Sequence, residues 1–580
     1  MKSSSPSSIS KTPTKSTNFT FILLFVFVFF LVAFYHHLYH DARSALATPR
    51  LLSTSFPSPP PLLPSAPSSQ DDDSSSSSMI VDKSVLIPDW EVLVIVAEST
   101  TTTNNHDAYA CVFNNKTKSP AIYSGELPFT KRIVFKCEFP ASTRRRLPFY
   151  QPILTRSPAS SLLGEAKDTD IGVADFTELM RWNFLVYESF TTENDVVLFV
   201  KGINTRQRVN RPPSDFHCVF GDDAAVRTAA TTSFQEVFRC PLPPQNQQTI
   251  QGNHKPVSIS LEIDSEAIRV PSVARFSDQP TPDLWPEIEP KSSETKSIIC
   301  ACTMMYNAAK FLKEWVMYHA SIGIDRFIIY DNESDNDLGR VIADLVAAGY
   351  DVKSLLWLWP KAQEAGFSHC ALLARKICTW IAFIDVDEFI LSSSWLDSPS
   401  PSPSMLRSLL IHRSDHRIGQ ISITCNEFGP SDQTTHPIDG VTQGYTCRRR
   451  LDQRHKSIVL VDSIDLSLMN AIHHFELKPG YKTRTLGRED AVVNHYKYQA
   501  WPEFRAKFRR RVSTYVVDWR QNVNLLSKDR APGIGSEAVK PVGWERMFCE
   551  VRDERLRTVA RRWFAVAEGE NGTVTMAWQR

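Results

Sequence analysis

The 580-residue sequence lacks a surplus of charge of either sign: 65 Lys and Arg stand against 64 Asp and Glu, a formal net charge of +1. That balance excludes a whole-chain attraction to nucleic acid or to anionic membrane, so partners must be chosen by local sites. The marks of wholesale disorder are also missing, because 42% hydrophobic and 22% charged residues is the composition of globular domains. The length allows two or three of them. One long apolar run is present, FTFILLFVFVFFLVAFY at 19–35, and no clear small-x-small cleavage site follows it at once. A cleaved signal peptide is therefore disfavoured against a membrane-spanning helix. Lys2, Lys11 and Lys15 precede the run while Asp41 and Arg43 follow it, which places the N-terminus in the cytosol and the rest in a lumen. The expected order is a cytosolic tail (1–18), a transmembrane anchor (19–35) and a stem (36–83) whose Ser- and Pro-rich sequence cannot build a core.

A lumenal chain can form disulfides and carry glycans. Asn115 and Asn571 stand in Asn-x-Ser/Thr sites, and Asn332 does too but lies in a segment read below as part of the active site. Eleven cysteines is an odd number, so at least one is free or pairs between chains, and a homodimer is among the expected partners. From 84 to 290 short β-branched and aromatic runs (VLVIVAE, RIVFKCEF, DVVLFVKGI, VSISLEI) alternate with polar turns, the pattern of an all-β, sandwich-like domain. An internal echo marks it. ACVF at Cys111 is followed by VFKCEFP at Cys137, and HCVF at Cys218 by VFRCPLP at Cys240. Two local disulfides stapling paired strands are one reading, four buried thiols the other.

From 296 the rhythm becomes strand and helix in alternation: IICACT, then a helix with Phe311, Leu312, Trp315, Val316, His319 and Ile322 on one face, RFIIY, a helix ending near Gly349, VKSLLWLW, a helix in EAGFSHCALLARKICT, and WIAFI. This predicts a parallel sheet with helices on both faces and a ligand site at the carboxyl ends of its strands. There WIAFIDVDEFI releases Asp385, Asp387 and Glu388. Residues two apart in an extended segment point the same way, so Asp385 and Asp387 would share one face and suit Mg²⁺ or Mn²⁺ bridging a diphosphate. A solvated turn is the bland alternative. The other strand ends add Tyr306 and Asn307, then Asp331 and Asn332, groups able to hold a base or ribose.

The set LKEWVMYHASIGIDRFIIYDNESDN, WPKAQEAGFSHCALLAR, FIDVDEFI, RHKSIV with AIHHFEL, and VNHYKY with FRRRVSTYVVDW resembles glycosyltransferase family 92, in particular its plant β-1,4-galactan synthase branch, over roughly 296–525. The resemblance implies a GT-A (Rossmann-like) domain over 291–580, preceded by a carbohydrate-binding-like β domain. It implies an inverting transfer of galactose from UDP-galactose to a β-1,4-galactan acceptor of the cell wall, in the Golgi membrane. It also implies Mn²⁺ held by Asp385, Asp387 and His495, a nucleotide held by Tyr306, Asn307, Asp331 and Asn332 with Gln363 and Arg375 near the donor, and no nucleic acid. Lys456, His473 and His474 fall in matched blocks and are expected to line the acceptor or phosphate site. The attacking hydroxyl needs a base, and Glu427, in a Gly- and Pro-containing loop, is the candidate, with Asp432 and Asp439 behind it. The basic segment 505–520 interleaves Phe508, Tyr515 and Trp519 and reads either as a sugar-stacking groove or as a solvated helical face. Two rival functions exist. A phosphatase of the haloacid dehalogenase type needs Thr or Val where this chain has Phe389, and a catalytically silent carbohydrate-binding or scaffold protein would keep the β domain alone at work.

Overall fold

The computed structural model describes residues 78–79, 81–97, 108–144, 147–157, 177–204, 209–222, 226–244, 256–285, 296–334, 337–410, 417–451, 454–471, 473–507, 540–568 and 574–580. The expected tail, anchor, nearly all of the stem, Asn571 and most of 505–520 lie outside the described residues. Among the described residues no helix is long and apolar enough to cross a membrane.

The β-rich region forms two units where one sandwich was expected. Strands from Ser78 to Arg181 build an eight-stranded sheet with its own core around Val92, Val94, Phe135 and Leu154. Strands from Leu185 to Phe276 build a four-stranded and a five-stranded sheet that share a second core, with Leu198 and Phe238 meeting Phe216 and Leu261. The cysteine echo follows this division. Cys111 bonds Cys137 in the first unit, and Cys218 bonds Cys240 across the two sheets of the second. Lys118–Glu126 (β1) and Ile133–Glu138 (β2) are antiparallel neighbours in the first unit.

The remaining elements follow the expected alternation: Ser297–Met305 (β3), Ala309–Ile322 (α1), Arg326–Asp331 (β4), Leu338–Ala347 (α2), Val352–Leu356 (β5), Gln363–Ile377 (α3) and Cys378–Phe383 (β6). Then come Glu388–Leu391 (β7), Ile418–Glu427 (β8), His455–Leu460 (β9) and Val492–His495 (β10). They order as β5-β4-β3-β6-β9-β8-β10-β7, with Lys482–Thr485 beside β8. The sheet is mixed, which corrects the all-parallel expectation. β5, β4, β3 and β6 run parallel, β9 is antiparallel to both β6 and β8, and β7 is antiparallel to β10. The helix-separated half of the sequence carries crossover connections and hence parallel strands; beyond β6 the regular alternation of strand and helix ends, and antiparallel pairs enter the sheet.

Alternation along β3 assigns the two faces. Ile299 and Ala301 join Phe311, Leu312, Trp315 and Val316 of α1, while Cys300 and Cys302 join α3 and the β-region residues Val85, Leu93, Tyr187 and Phe199. The β-rich units thus pack on the α3 face of the mixed sheet. Disulfides Cys300–Cys378, Cys302–Cys370 and Cys447–Cys549 take six more cysteines, and the odd one, Cys425, is free and buried.

One buried acid ties α1 to the segment at 441–442. Glu314 accepts hydrogen bonds from the backbone N–H groups of Val441 (2.8 Å) and Thr442 (3.0 Å), and from the Thr442 hydroxyl. A Cβ at residue 440 would stand 2.5 Å from Glu314 Oε2, so Gly440 is required for the approach. Burial raises the Glu314 carboxyl from 4.5 to about 7 despite the three donors. The folded state then holds a proton that the unfolded state has lost between pH 4.5 and 7, so this contribution to stability is complete below 4.5 and disappears as pH rises through 7. Unfolding titrations of wild type and Glu314→Gln are expected to diverge in slope across that window, by about 3 kcal/mol in total; parallel curves would contradict it.

Candidate functional site

The segment Ile384 to Asp387 is a turn, closed by Glu388 N–H donating to Asp385 C=O at 3.0 Å. Asp385 and Asp387 therefore do not share one face, as an extended segment would require. Asp385 Oδ2 turns to Lys456 Nζ at 2.9 Å and His473 Nε2 at 3.6 Å. Asp387 Oδ2 turns to Lys507 Nζ at 2.7 Å and His495 Nε2 at 3.7 Å.

Sheet register brings the rest together. Glu388 on β7 pairs with His495 on β10, and His495 pairs with Glu427 on β8, so three ionisable side chains occupy one row across three strands. Glu388, absent from the expected site, is its buried centre: no part of it is exposed, its Oε1 lies 2.7 Å from Lys456 Nζ and 3.5 Å from His495 Nδ1, and its Oε2 accepts from Asp385 N–H at 2.9 Å. The available signal was a third acid on an apolar strand. Burial and the acids beside it push the Glu388 carboxyl up against the pull of Lys456. Burial opposes ionisation of Asp385 too, but Lys456 and His473 outweigh it and hold that carboxyl below the usual range. Lys456, buried yet flanked by two carboxylates, is held above the usual amine range. His495 goes the other way, because burial and the lysines around it keep its imidazole neutral.

Lys456 is consequently an internal counter-charge and not a free phosphate ligand. The two adjacent histidines separate. His473, with φ 73°, is buried against Lys456, whereas His474 turns to His455, Nε2 to Nδ1 at 2.7 Å. Burial lowers His473 to about 3 and His474 to about 4.

Glu427 is also corrected in its setting. It ends β8 instead of lying in a loop, is fully buried, and faces Lys497 at 2.7 Å, Arg449 at 3.2 Å and Arg454 at 3.9 Å. A carboxylate so enclosed orients basic side chains and has no open face toward a sugar hydroxyl. Asp432, with Arg546 at 2.9 Å, is an exposed surface pair, and the Asp439 backbone accepts from Trp578.

The polar residues expected at the first strand ends come together at the carboxyl edge of the sheet. Asn332 N–H donates to Met305 C=O at 2.9 Å, Asn307 N–H to Ser334 Oγ at 3.0 Å, Ser334 N–H to Asp331 Oδ1 at 2.9 Å, and Trp357 N–H to Asp331 C=O at 2.7 Å. The Asn332 amide donates to Trp357 C=O. Tyr306 stands exposed beside them, and Asn307 (φ 48°) and Glu333 (φ 67°) hold left-handed backbone. Such positions collect at ligand sites. Gln363 opens α3 at this same carboxyl edge. Arg375 does not belong to it. Twelve residues along α3 separate them by about 18 Å, and Arg375 is surrounded by Arg239, Asp462 and Asp195, its guanidinium lowered chiefly by burial.

Among the described residues no group of three His, Cys, Asp or Glu side chains is placed to hold a metal ion. Two lie close enough to share one: burial keeps the His495 imidazole neutral, and its Nε2 is 3.7 Å from Asp387 Oδ2, a separation that bonds of about 2.1 Å to one ion allow. Mg²⁺ and similar ions often take only one or two protein carboxylates and complete their shell with substrate phosphates and water.

The model of the family described as glycosyltransferase family 92 matches residues 295–527. A glycosyltransferase family 92 protein of Ricinus communis is 42% identical over 71% of each chain, and one of Arabidopsis thaliana is 41% identical over 69% of each. A solved mannosyltransferase from Pyrobaculum calidifontis, in complex with GDP-Man and Mn²⁺, shares 9% identity over 38% of this chain and 61% of its own, with a TM-score of 0.23, too low to carry an argument.

Proposed function

The chain belongs to glycosyltransferase family 92 and is a glycosyltransferase, and from that membership we propose that it moves galactose from UDP-galactose, with inversion, onto a β-1,4-galactan acceptor. The observation that carries the site assignment is the row Glu388, His495 and Glu427 set beside Asp387 at the carboxyl edge of the sheet. Asp387 and His495 would hold a divalent cation, Mn²⁺ by their mixed oxygen and nitrogen donors, and such an ion would offset charge on the departing diphosphate. Lys456 keeps Asp385 and Glu388 compatible with burial beside it. Lys507, partly exposed on the helix at 501–507, brings a further cation to Asp387. Tyr306, Asn307, Asp331, Asn332 and Gln363 receive the nucleoside, and Glu427 sets Lys497 and Arg449 in place. The lumenal, single-pass Golgi setting belongs to the same proposal, supported by five disulfides, which persist in oxidising compartments.

Release of UDP by the full-length protein in detergent, offered each common UDP-sugar with Mn²⁺ or EDTA and with or without galactan oligosaccharides, tests the reading. Acceptor-stimulated, EDTA-sensitive release from UDP-galactose is expected. Preference for another sugar overturns the donor, and full activity in EDTA overturns the metal.

A further inference from the structure

The β-rich region does more than sit on the catalytic sheet, because one of its hairpins reaches the nucleotide edge. Along β1 and β2, Ile122 pairs with Lys136 and Tyr123 with Phe135, and then the register slips between Tyr123 and Gly125, leaving Ser124 as the extra residue of a bulge. A bulge bends its strand and re-aims a side chain. Here Ser124 Oγ donates to Glu333 Oε1 at 3.1 Å, and Lys136 Nζ stands 2.9 Å from the same oxygen. Gly125, at φ 127°, follows the bulge, and a Cβ there would be 3.0 Å from Leu356 Cδ2. Leu356 is the last residue of β5 and lies in register with Asp331. Gly125 therefore lets the hairpin lie close against Leu356 at the carboxyl edge, in a backbone conformation that residues with side chains rarely adopt.

Glu333 follows Asp331 and Asn332 directly and carries a left-handed backbone that a glutamate adopts only when its surroundings hold it there. Two contacts from the β region supply that restraint, and both partners in the ion pair are about three-quarters buried. Ile122, 63% exposed, and Lys136 stand side by side on the same hairpin.

We propose that the β1–β2 hairpin is a wall of the donor site, with Lys136 and Ser124 as positioning residues that fix Glu333 and through it the Asp331–Asn332 nucleotide edge. This rests on the donor-site reading given above. The consequence is that the β-rich region is required for nucleotide-sugar affinity as well as for any contact with glycan.

The restraint acts on ground state and transition state alike, so its loss moves KM and not kcat. In the full chain, Lys136→Met is expected to raise the nucleotide-sugar KM about fivefold or more with kcat changed less than about twofold. Glu333→Gln is expected to do the same, and Lys136→Arg to restore most of the affinity. Wild-type turnover with unchanged donor KM in both Lys136→Met and Glu333→Gln overturns the positioning role alone. A wild type that turns over no nucleotide sugar overturns the donor-site reading and this inference with it.

Discussion

Asp387→Ala is expected to reduce sugar transfer by about 10³-fold or more while leaving the protein folded. The activity loss follows from the position of Asp387 Oδ2, 3.7 Å from His495 Nε2. The fold survives because the main partner released is Lys507, 38% exposed, whose ammonium can turn to water. Asp385→Ala separates this from general damage to the loop. Asp385 holds buried Lys456, so its loss is expected to lower thermal stability as well as activity, where loss of Asp387 lowers activity alone. Transfer rates and melting curves of the two variants measure the difference. Near-normal transfer by Asp387→Ala would remove the cation assignment.

Lys456→Met is expected to have the largest effect on stability, about 3–5 kcal/mol in unfolding free energy. Its ammonium lies between Asp385 and Glu388, and Glu388 has no exposed surface. Removing the cation leaves the acids desolvated and facing one another, which they relieve only by taking up protons. Adding Glu388→Gln to Lys456→Met is expected to recover part of the loss, since one uncompensated charge disappears with the second change. Equal stability of the single and double variants would mean that Lys456 acts by packing and not by charge. Both variants leave Asp387 and His495 in place, so residual UDP release in the double variant reports how far the acids themselves matter to transfer.

Much of the architecture was legible because local rules sufficed. Apolar runs bounded by turns gave the strands of the β region, and period-3.6 spacing gave α1 with the buried face Phe311, Leu312, Trp315, Val316, His319 and Ile322. The carboxyl-edge rule places Tyr306, Asn307, Asp331 and Asn332 at one end of the sheet from sequence alone. Arg375 failed because a matched block of sequence says nothing about which end of a helix meets a ligand. Glu427 lies outside the loop that Gly429 and Pro430 mark, because the strand runs up to the glutamate itself. Glu388 went unselected because an acid buried on a strand is recognisable only by its partners, and Lys456 and His495 lie 68 and 107 positions away.

The sequence by itself determined the strand and helix order, the acidic motif at the end of β6, the cysteine echo and the kinship with glycosyltransferase family 92, all of them readable within one segment or from a set of short segments. Tertiary structure alone decided which carboxylate faces which cation. Asp385 and Asp387 are separated by a turn whose sense no two-residue periodicity reports, His473 and His474 are parted by one left-handed residue, and a one-residue bulge in a distant sheet aims Ser124 at Glu333. Charge pairing in a buried site depends on distances of a few ångströms between strands far apart in sequence, and only the folded register sets those distances.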